Sequence, residues 1–324
     1  MNKTVILTLT AAALLSTTDA VAQLKYPVTA KDNTVDEYFG EKVADPYRWL
    51  ENDTSAATAE WVREENLVSR KYLDNIPMRK AILKRLKETV NYEKRGMAFE
   101  RGGKWYAYRN DGLQNQSVLY QMDRYDAPLG EWRVWLDPNT LSTDGTVALK
   151  STTFSHDGKY MAYVISRNGS DWEEIYVKDV ATGKTLDDHI VWAKFTKATW
   201  VGEGFYYSAY DAPEKGKETS AKNSVQKIYY HRIGTPQSDD RLFYQNPSQP
   251  LRFYEVSVNK EETVMYLTEA GMDNGNNLYV RDMTQADAQF IQMCSDSRYI
   301  YAPVETVGNR MYTVSYTHLT LPTT

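Results

Sequence analysis

Three short clusters of side chains could in principle carry out chemistry, but their spacing argues against each one. Residues 187–189 read Asp-Asp-His, and such a trio without further partners is more typical of a solvated turn than of a metal site. The pairs Glu173–Glu174 and Asp239–Asp240 could supply an acid and a base, but adjacent residues on a strand point to opposite faces. We therefore predict no metal ligands and no paired-carboxylate catalyst.

Two glycine-containing segments resemble nucleotide-binding loops without completing either motif. Gly183–Thr185 reads Gly-Lys-Thr, but a phosphate loop needs a further glycine at the position that Lys178 occupies. Gly202–Gly204 lacks a third glycine at Tyr207 and follows no strand–helix unit of the dinucleotide-binding type. A hairpin turn is the better interpretation of each, and we predict no cofactor.

The four histidines, His156, His189, His231 and His318, are more typical of structural or solvated side chains than of catalytic ones. The net charge of −5 argues against nucleic acid as a partner, because phosphate binding favours a basic surface. The 25 tyrosines and 8 tryptophans suit half-buried pleated strands. These features favour a β-rich protein without a catalytic, cofactor-binding or metal-ligating residue of its own.

The first 22 residues have the pattern of a signal peptide. A short positive start is followed by the apolar stretch Val5–Leu15 and by the small-x-small sequence Ala20–Ala22. The apolar run is shorter than the roughly 20 residues that span a bilayer. The only cysteine, Cys294, excludes an internal disulfide. We expect an exported protein, periplasmic or extracellular, without a membrane segment.

Residues 23–91 are predicted to be helical after a polar entry segment. Asp45–Pro46 resembles a helix start, and Ser55 can cap a second helix that Pro77 ends. Ile82, Leu86 and Val90 recur every four residues and predict a third helix. This helical segment is expected to precede a separate β domain.

From residue 92 to residue 314 the pattern changes to short strands separated by polar turns. Turns recur every 45 to 57 residues, each followed by an apolar strand, and this is the spacing of four-stranded propeller blades. Five such units predict a mainly β fold, an incomplete β-propeller, with an irregular β-sandwich as the alternative. The predicted strands that follow these turns begin at Lys104, Tyr160, Phe205, Val264 and Met311. Residues 315–324 carry no charge and no closing turn, and we interpret them as a non-native tail.

Several blocks resemble the prolyl oligopeptidase family. The most specific is Tyr38–Glu51, which ends in Asp-Pro-Tyr-Arg-Trp-Leu-Glu. Further matching blocks follow in register: Phe154–Tyr163, Gly169–Trp172, Val177–Asp179, Gly204–Ser208 and Asn277–Val280. The resemblance covers about residues 24 to 314, and it implies an N-terminal helical segment of a hydrolase domain followed by part of a seven-bladed propeller.

The resemblance also implies a secreted serine endopeptidase that cleaves short peptides after proline. Its Ser-His-Asp triad would lie in a C-terminal hydrolase segment, where the serine occupies a Gly-x-Ser-x-Gly elbow. No glycine of this sequence is followed two residues later by serine, so no catalytic residue is assigned and the chain is expected to be inactive alone. Its partners would be the missing hydrolase domain and short proline-containing peptides. The alternative is a non-catalytic propeller that binds a peptide, a glycan or a protein.

Overall fold

The structure is a computed structural model that describes residues 24–272, 274–295, 298–308 and 310–316. The predicted signal peptide lies outside the described residues, as do Asn309 of the last predicted turn and residues 317–324 of the predicted tail. The chain forms two compact units that divide between Arg85 and Leu86. Each unit is described by itself.

The first unit begins with a two-stranded antiparallel sheet, β1 (Val35–Tyr38) and β2 (Glu41–Ala44). The helix predicted to start at Asp45 is only a 3-10 turn, Arg48–Glu51. The Asp45 carboxylate accepts from the Arg48 guanidinium at 2.6 Å, and no side chain caps the turn. Because the acidic side chain is held by arginine, it does not cap backbone N–H groups as the sequence suggested.

Two α-helices follow, α1 (Ala56–Asp74) and α2 (Arg79–Val90). Ser55 caps α1 as predicted, because its hydroxyl accepts from the backbone N–H of Thr58 at 3.1 Å. Pro77 lies between the two helices, where the sequence placed a break. Neither helix buries an apolar side chain within the described structure; Thr58 is the one buried residue of the pair.

The second unit is built from consecutive antiparallel strands, which we group as sheets 1 to 4 and a terminal hairpin. Sheet 1 contains β3 (Lys94–Arg95), β4 (Phe99–Arg101), β5 (Lys104–Asn110), β6 (Val118–Met122) and β7 (Arg133–Leu136). Sheet 2 contains β8 (Val147–Phe154), β9 (Tyr160–Arg167), β10 (Glu173–Asp179) and β11 (Thr185–Ala193). Sheet 3 contains β12 (Thr199–Val201), β13 (Gly204–Ala209), β14 (Lys227–Arg232) and β15 (Arg241–Gln245). Sheet 4 contains β16 (Phe253–Val258), β17 (Val264–Ala270), β18 (Asn276–Asp282) and β19 (Ile291–Cys294).

The terminal hairpin pairs β20 (Ile300–Val307) with β21 (Arg310–Tyr316). Short 3-10 turns interrupt the connections at Leu129–Glu131, Pro138–Thr140 and Gln237–Asp239. By strand pairing, sheets 2 and 3 are the two halves of one eight-stranded sheet, joined through β11 and β13, so the described part of the second unit contains sheets of five, eight and four strands and the terminal hairpin. The count of about five blades stays a prediction. Ser315, the first residue of the predicted tail, pairs with Tyr301 in this hairpin.

The recurring turns predicted from the sequence lie directly before β5, β9, β13 and β17, one in each of sheets 1 to 4. Gly102 and Gly158, from sheets 1 and 2, meet there so closely that a Cβ on Gly158 would lie 2.3 Å from the Gly102 Cα atom. Both have positive φ, +56° and +71°, so the turns require glycine for conformation as well as for space.

The second strands are buried on both faces, whereas the sequence suggested alternation. Every residue of β13 is buried, and β9 is buried from Met161 to Ser166. Neighbouring sheets cover both faces of each strand, so the polar residues among them must find partners. The Ser208 hydroxyl, for example, donates to the Tyr254 carbonyl of sheet 4 at 2.6 Å.

Candidate functional site

The three histidines that the structure describes are each held by a carboxylate. His156 Nδ1 lies 2.7 Å from Glu262 Oε1, and His189 Nε2 lies 2.8 Å from Glu174 Oε2. His231 is fully buried, while His318 lies outside the described residues. The described ranges contain no group of three or more His, Cys, Asp or Glu side chains arranged to hold a metal ion.

The acidic pairs singled out from the sequence are each split, the first by strand geometry. Glu173 is buried, and Glu174 on the other face binds Arg167, with its Oε1 2.6 Å from the guanidinium Nε. The second pair lies at the 3-10 turn Gln237–Asp239 and not on a strand as predicted, with Asp239 exposed and the Asp240 side chain 2% exposed. In the trio 187–189, Asp187 is exposed and Asp188 is buried. Adjacent carboxylates therefore do not act together in either pair.

A cluster of aromatic side chains lies instead at one end of the strands of sheets 2, 3 and 4. We call it the aromatic end cluster, and its members lie at the ends of β11 and β16 or in the connections beside β10, β11 and β13. They are Trp172, Trp192, Lys194, Phe195, Tyr210 and Phe253. The cluster thus gathers residues that are up to 81 positions apart in the sequence (253 − 172).

Lys194 connects the two halves of this cluster. Its ammonium lies 5.0 Å from the Trp172 ring centroid and 5.4 Å from that of Phe195. Trp172 makes edge contacts with Trp192 at 5.3 Å, and Phe195 makes one with Phe253 at 5.5 Å. The Lys194 side chain is 12% exposed, and its ammonium also lies 3.7 Å from Asp171 Oδ2, so the cation is held by two rings and one carboxylate.

The backbone of the cluster is strained at two aromatic residues. Trp192 has φ +59° and Phe195 has φ +54°, a region that bulky side chains rarely adopt. Such strain persists where the surroundings impose it and is concentrated at ligand-binding segments. Phe195 is nevertheless 52% exposed, so its ring faces solvent rather than filling the core.

Buried Glu173 fixes the segment beneath Phe195. Its Oε2 accepts from the backbone N–H of Thr196 at 3.1 Å. Burial raises the pKa of Glu173 above its ordinary value of 4.5, and the hydrogen bond from Thr196 offsets only part of this effect. The acid thus positions the strained segment from below and is not directed at a ligand.

The sequence analysis named no residue of this cluster as a site, although it singled out the segment Gly169–Trp172. The aromatic density of Trp192–Phe195 directly after a strand was the available signal. What the sequence did not reveal is that Tyr210 and Phe253 lie beside it. Phe195 is the exposed ring of the cluster, whereas Tyr210 is buried and Trp172, Trp192 and Phe253 are half-buried. An exposed ring backed by other rings and a cation can bind an apolar side chain of an extended peptide.

In the described part of the chain, no helix has both the length and the apolar character needed to cross a membrane.

Comparison with known proteins assigns most of the chain to one family. Residues 27–318 match the family model described as prolyl oligopeptidase, N-terminal beta-propeller domain. A prolyl endopeptidase from Elizabethkingia miricola is 39% identical over 290 residues, which cover 89% of this chain and 40% of the relative. Prolyl oligopeptidase A from Amanita bisporigera is 33% identical, covering 80% of this chain and 38% of the relative. The chain spans about two fifths of the length of these relatives.

Solved structures agree with this assignment. A chain from a structural and mechanistic analysis of two prolyl endopeptidases is 34% identical, with a TM-score of 0.62, covering 90% of this chain and 42% of the other. Prolyl oligopeptidase B from Galerina marginata, bound to a 25mer macrocyclization substrate, is 26% identical with a TM-score of 0.73. That match covers 90% of this chain and 44% of the other.

Proposed function

We propose, since the chain belongs to the prolyl oligopeptidase family, that the complete protein is a serine endopeptidase that cleaves short peptides after proline. This chain is the propeller part of such a protein. The observation that carries the proposal is the family match over residues 27–318, at up to 41% identity to prolyl endopeptidases.

In this proposal the bond-breaking chemistry is supplied from outside the 324 residues. A serine on a glycine-flanked elbow would attack the scissile carbonyl, a histidine would take its proton, and an aspartate would orient that histidine. The sequence contains no Gly-x-Ser pattern, and the three described histidines are paired with carboxylates within the chain. We therefore expect the chain alone to hydrolyse no prolyl substrate.

The propeller part would bind and orient the peptide. The aromatic end cluster offers an exposed phenylalanine, a cation and a strained backbone segment at one end of three sheets. These groups suit the apolar side chains of a proline-containing peptide.

The helices would serve a partner domain. An apolar cleft of about 780 Å³ lies along α1, lined mainly by Leu24, Leu67, Val68, Tyr72 and Ile76. Exposed apolar surface of this kind marks an interaction site. A C-terminal hydrolase domain, the expected partner, would bury it.

Export is part of the same proposal. Residues 1–22 lie outside the described structure, and the proposal is supported by their charge and apolar pattern alone. Expression of the full sequence in a bacterium, followed by N-terminal sequencing of the exported material, tests it. Mature protein that begins at Gln23 is the expected result.

Activity is tested by mixing the chain with a separately expressed hydrolase domain of a close relative, using a glycyl-prolyl chromogenic peptide. We expect no hydrolysis by the chain alone and hydrolysis by the mixture. Phe195→Ala in the chain should raise KM, whereas Leu242→Ala, an exposed apolar residue on β15, should leave it unchanged. Peptide binding by the chain without any hydrolysis by the mixture would favour the non-catalytic binding propeller.

A further inference from the structure

A buried group of charges lies between sheets 2 and 3, away from the aromatic end cluster. His231 Nε2 is 2.9 Å from Asp188 Oδ1, and His231 Nδ1 is 2.7 Å from Asp240 Oδ1. The three side chains are 0%, 3% and 2% exposed, respectively. We call this group the Asp–His–Asp bridge. Asp188 lies on β11 of sheet 2, whereas His231 and Asp240 belong to sheet 3.

With both carboxylates ionised, the two hydrogen bonds of the bridge need a charged histidine. Both ring nitrogens face carboxylate oxygens, which only accept when ionised. A neutral imidazole has one N–H group, so one of the two contacts would then place two acceptors against each other. The imidazolium form satisfies both at once. A buried polar group without a hydrogen-bond partner costs free energy, so the bridge is complete only when His231 carries both protons.

Each carboxylate also accepts a hydrogen bond from another protein group, at Asp188 on the same oxygen that faces His231 and at Asp240 on the second oxygen. Gly234 N–H donates to Asp188 Oδ1 at 2.6 Å, and the Tyr207 hydroxyl donates to Asp240 Oδ2 at 2.7 Å. Burial and the hydrogen bond to Asp240 raise the pKa of Tyr207, so its hydroxyl stays a donor across neutral pH. The bridge therefore consists of two buried carboxylates on either side of one imidazolium, and each carboxylate accepts a further hydrogen bond from the protein.

The position of the bridge gives it a mechanical role. Sheets 2 and 3 are the only neighbours among sheets 1 to 4 that share a strand pairing in the described structure, through Ala193 and Ala209. That pairing lies at the C-terminal end of β11, next to the aromatic end cluster. Asp188 holds the same strand five residues earlier. One strand is thus attached to sheet 3 by backbone hydrogen bonds around Ala193, by the bridge at Asp188, and between them by the Gln237 side chain. Gln237 accepts from the Val191 N–H at 3.0 Å and donates to the Val191 carbonyl at 2.9 Å.

We propose that the Asp–His–Asp bridge is a proton-dependent lock that holds sheets 2 and 3 together and fixes the segment carrying Trp192, Lys194 and Phe195. Loss of the His231 proton breaks one of its two contacts and releases β11 near Asp188. Because β11 leads directly into residues 192–195, release of this joint loosens the aromatic end cluster. The regulated property is peptide binding at alkaline pH.

Each element packed against His231 contributes a group that faces its imidazole ring or a carboxylate of the bridge. Asp188 comes from β11, Tyr207 from β13 and Asp240 from the connection before β15, and the Phe205 ring stands 5.2 Å from the imidazole. Burial alone lowers the pKa of His231, but hydrogen bonds from the imidazole to both carboxylates outweigh it and raise the pKa above 6.5. Since the folded pKa is raised, the stabilisation is fully present below pH 6.5 and is lost as pH rises through the folded pKa.

The protonation state is tested directly by ¹⁵N NMR. A variant that combines His156→Gln, His189→Gln and His318→Gln leaves His231 as the single histidine. At pH 7.5, where an ordinary histidine is mostly neutral, we expect both ring nitrogens of His231 to give imidazolium resonances. One protonated and one bare nitrogen at pH 7.5 would overturn the proposal.

The mechanical role is tested by amide hydrogen exchange between pH 6 and pH 9.5 on the unaltered chain. Two amides report on the contact between sheets 2 and 3. The Lys194 N–H donates to the Ser208 carbonyl, and the Tyr210 N–H donates to the Trp192 carbonyl. We expect their protection factors to fall by about tenfold or more as His231 deprotonates, while those of sheet 4 stay constant. Equal protection at both ends of the range contradicts the lock.

His231→Gln should abolish this pH dependence and lower the protection of the two amides already at pH 6. His189→Gln is the matched control, because His189 also pairs with a carboxylate but is 42% exposed on the outside of β11. A loss of protection in both variants alike would assign the effect to general loosening. If His231→Gln does not fold, the pH series on the unaltered chain still decides.

Discussion

Sheets 2 and 3 and the two helices differ sharply in what they bury. Sheets 2 and 3 enclose a continuous core that includes Ile175, Ile190, Phe205 and Tyr207. The helices carry apolar residues at helical spacing, yet Leu67 is 60% exposed and Leu86 is 56% exposed. The sheets are therefore stabilised by their neighbours in this chain, whereas the apolar surface of the helices is available to a partner.

This contrast shows that hydrophobic pattern and burial are separate properties. A four-residue apolar period correctly predicted α2, but it did not show which surface the apolar face of that helix meets. Stability comes from apolar surface removed from water, at about 25 cal/mol per Å². We expect substitutions to have large effects in sheets 2 and 3 and small effects on the helices.

The largest effect is expected for Phe205→Ala. Phe205 is fully buried between Trp200 and Tyr207, and removal of its ring should lower the free energy of unfolding by about 3–5 kcal/mol. The matched helix variant Leu67→Ala should change it by less than about 0.5 kcal/mol. Urea unfolding followed by circular dichroism measures both. A comparable loss for Leu67→Ala would mean that the helices have a core of their own.

A second large effect is expected for Gly204→Ala. A Cβ on Gly204 would lie 2.0 Å from the His231 carbonyl oxygen of the paired strand β14. The strands must separate, at a cost of about 3 kcal/mol. Gly130→Ala is the control, because a Cβ there meets no atom within 4 Å. The thermal midpoint of each variant distinguishes the two, and equal midpoints would contradict the close approach.

A smaller effect is expected on the helical side for Ser55→Ala. Loss of the hydroxyl that caps Thr58 should destabilise the first turn of α1 by about 1 kcal/mol. Ser55→Asp should retain the cap, because a carboxylate accepts the same hydrogen bond and suits the helix N-terminus. Hydrogen exchange of the first-turn amides, with the sheet amides as reference, reports the change. Unaltered exchange in Ser55→Ala would refute the cap.

The smallest effect is expected for Glu173→Gln, and it has the opposite sign. Burial raises the pKa of Glu173 above its ordinary 4.5, so its ionisation disfavours the folded state. The free energy of unfolding of the unaltered chain therefore falls as pH rises from 4.5 through the raised pKa. The variant avoids this loss and should be slightly more stable at pH 7.5 but equal at pH 4. Urea midpoints at the two pH values measure the difference. A variant that is less stable at pH 7.5 would mean that the charged form is favoured.

The strand order was accessible from the sequence because it rests on local signals. Each polar turn at Gly102, Gly158 and Gly202 was followed by the strand that the structure contains. Ser55 predicted its helix start because capping involves residues three positions apart. The Asp45 prediction was wrong because Arg48 lay within reach of the same carboxylate.

The candidate site was not accessible, because it depends on contacts between sheets. Nothing in the sequence places Phe253 against Phe195, or Asp188 and Asp240 on either side of His231. Pairwise alternation indicated correctly that neighbouring carboxylates diverge, but it cannot indicate which distant residue each one meets. Such contacts follow from how successive sheets pack.

The consecutive pairing of strands has a consequence for synthesis of the chain. Every strand in sheets 1 to 4 pairs with a strand close to it in sequence, and even the link between sheets 2 and 3 joins residues only 16 positions apart (209 − 193). Low sequence separation between contacting residues favours rapid folding. During synthesis, each new strand can therefore pair with a strand that has already left the ribosome. None of these sheets has to wait for a segment that is distant in the sequence.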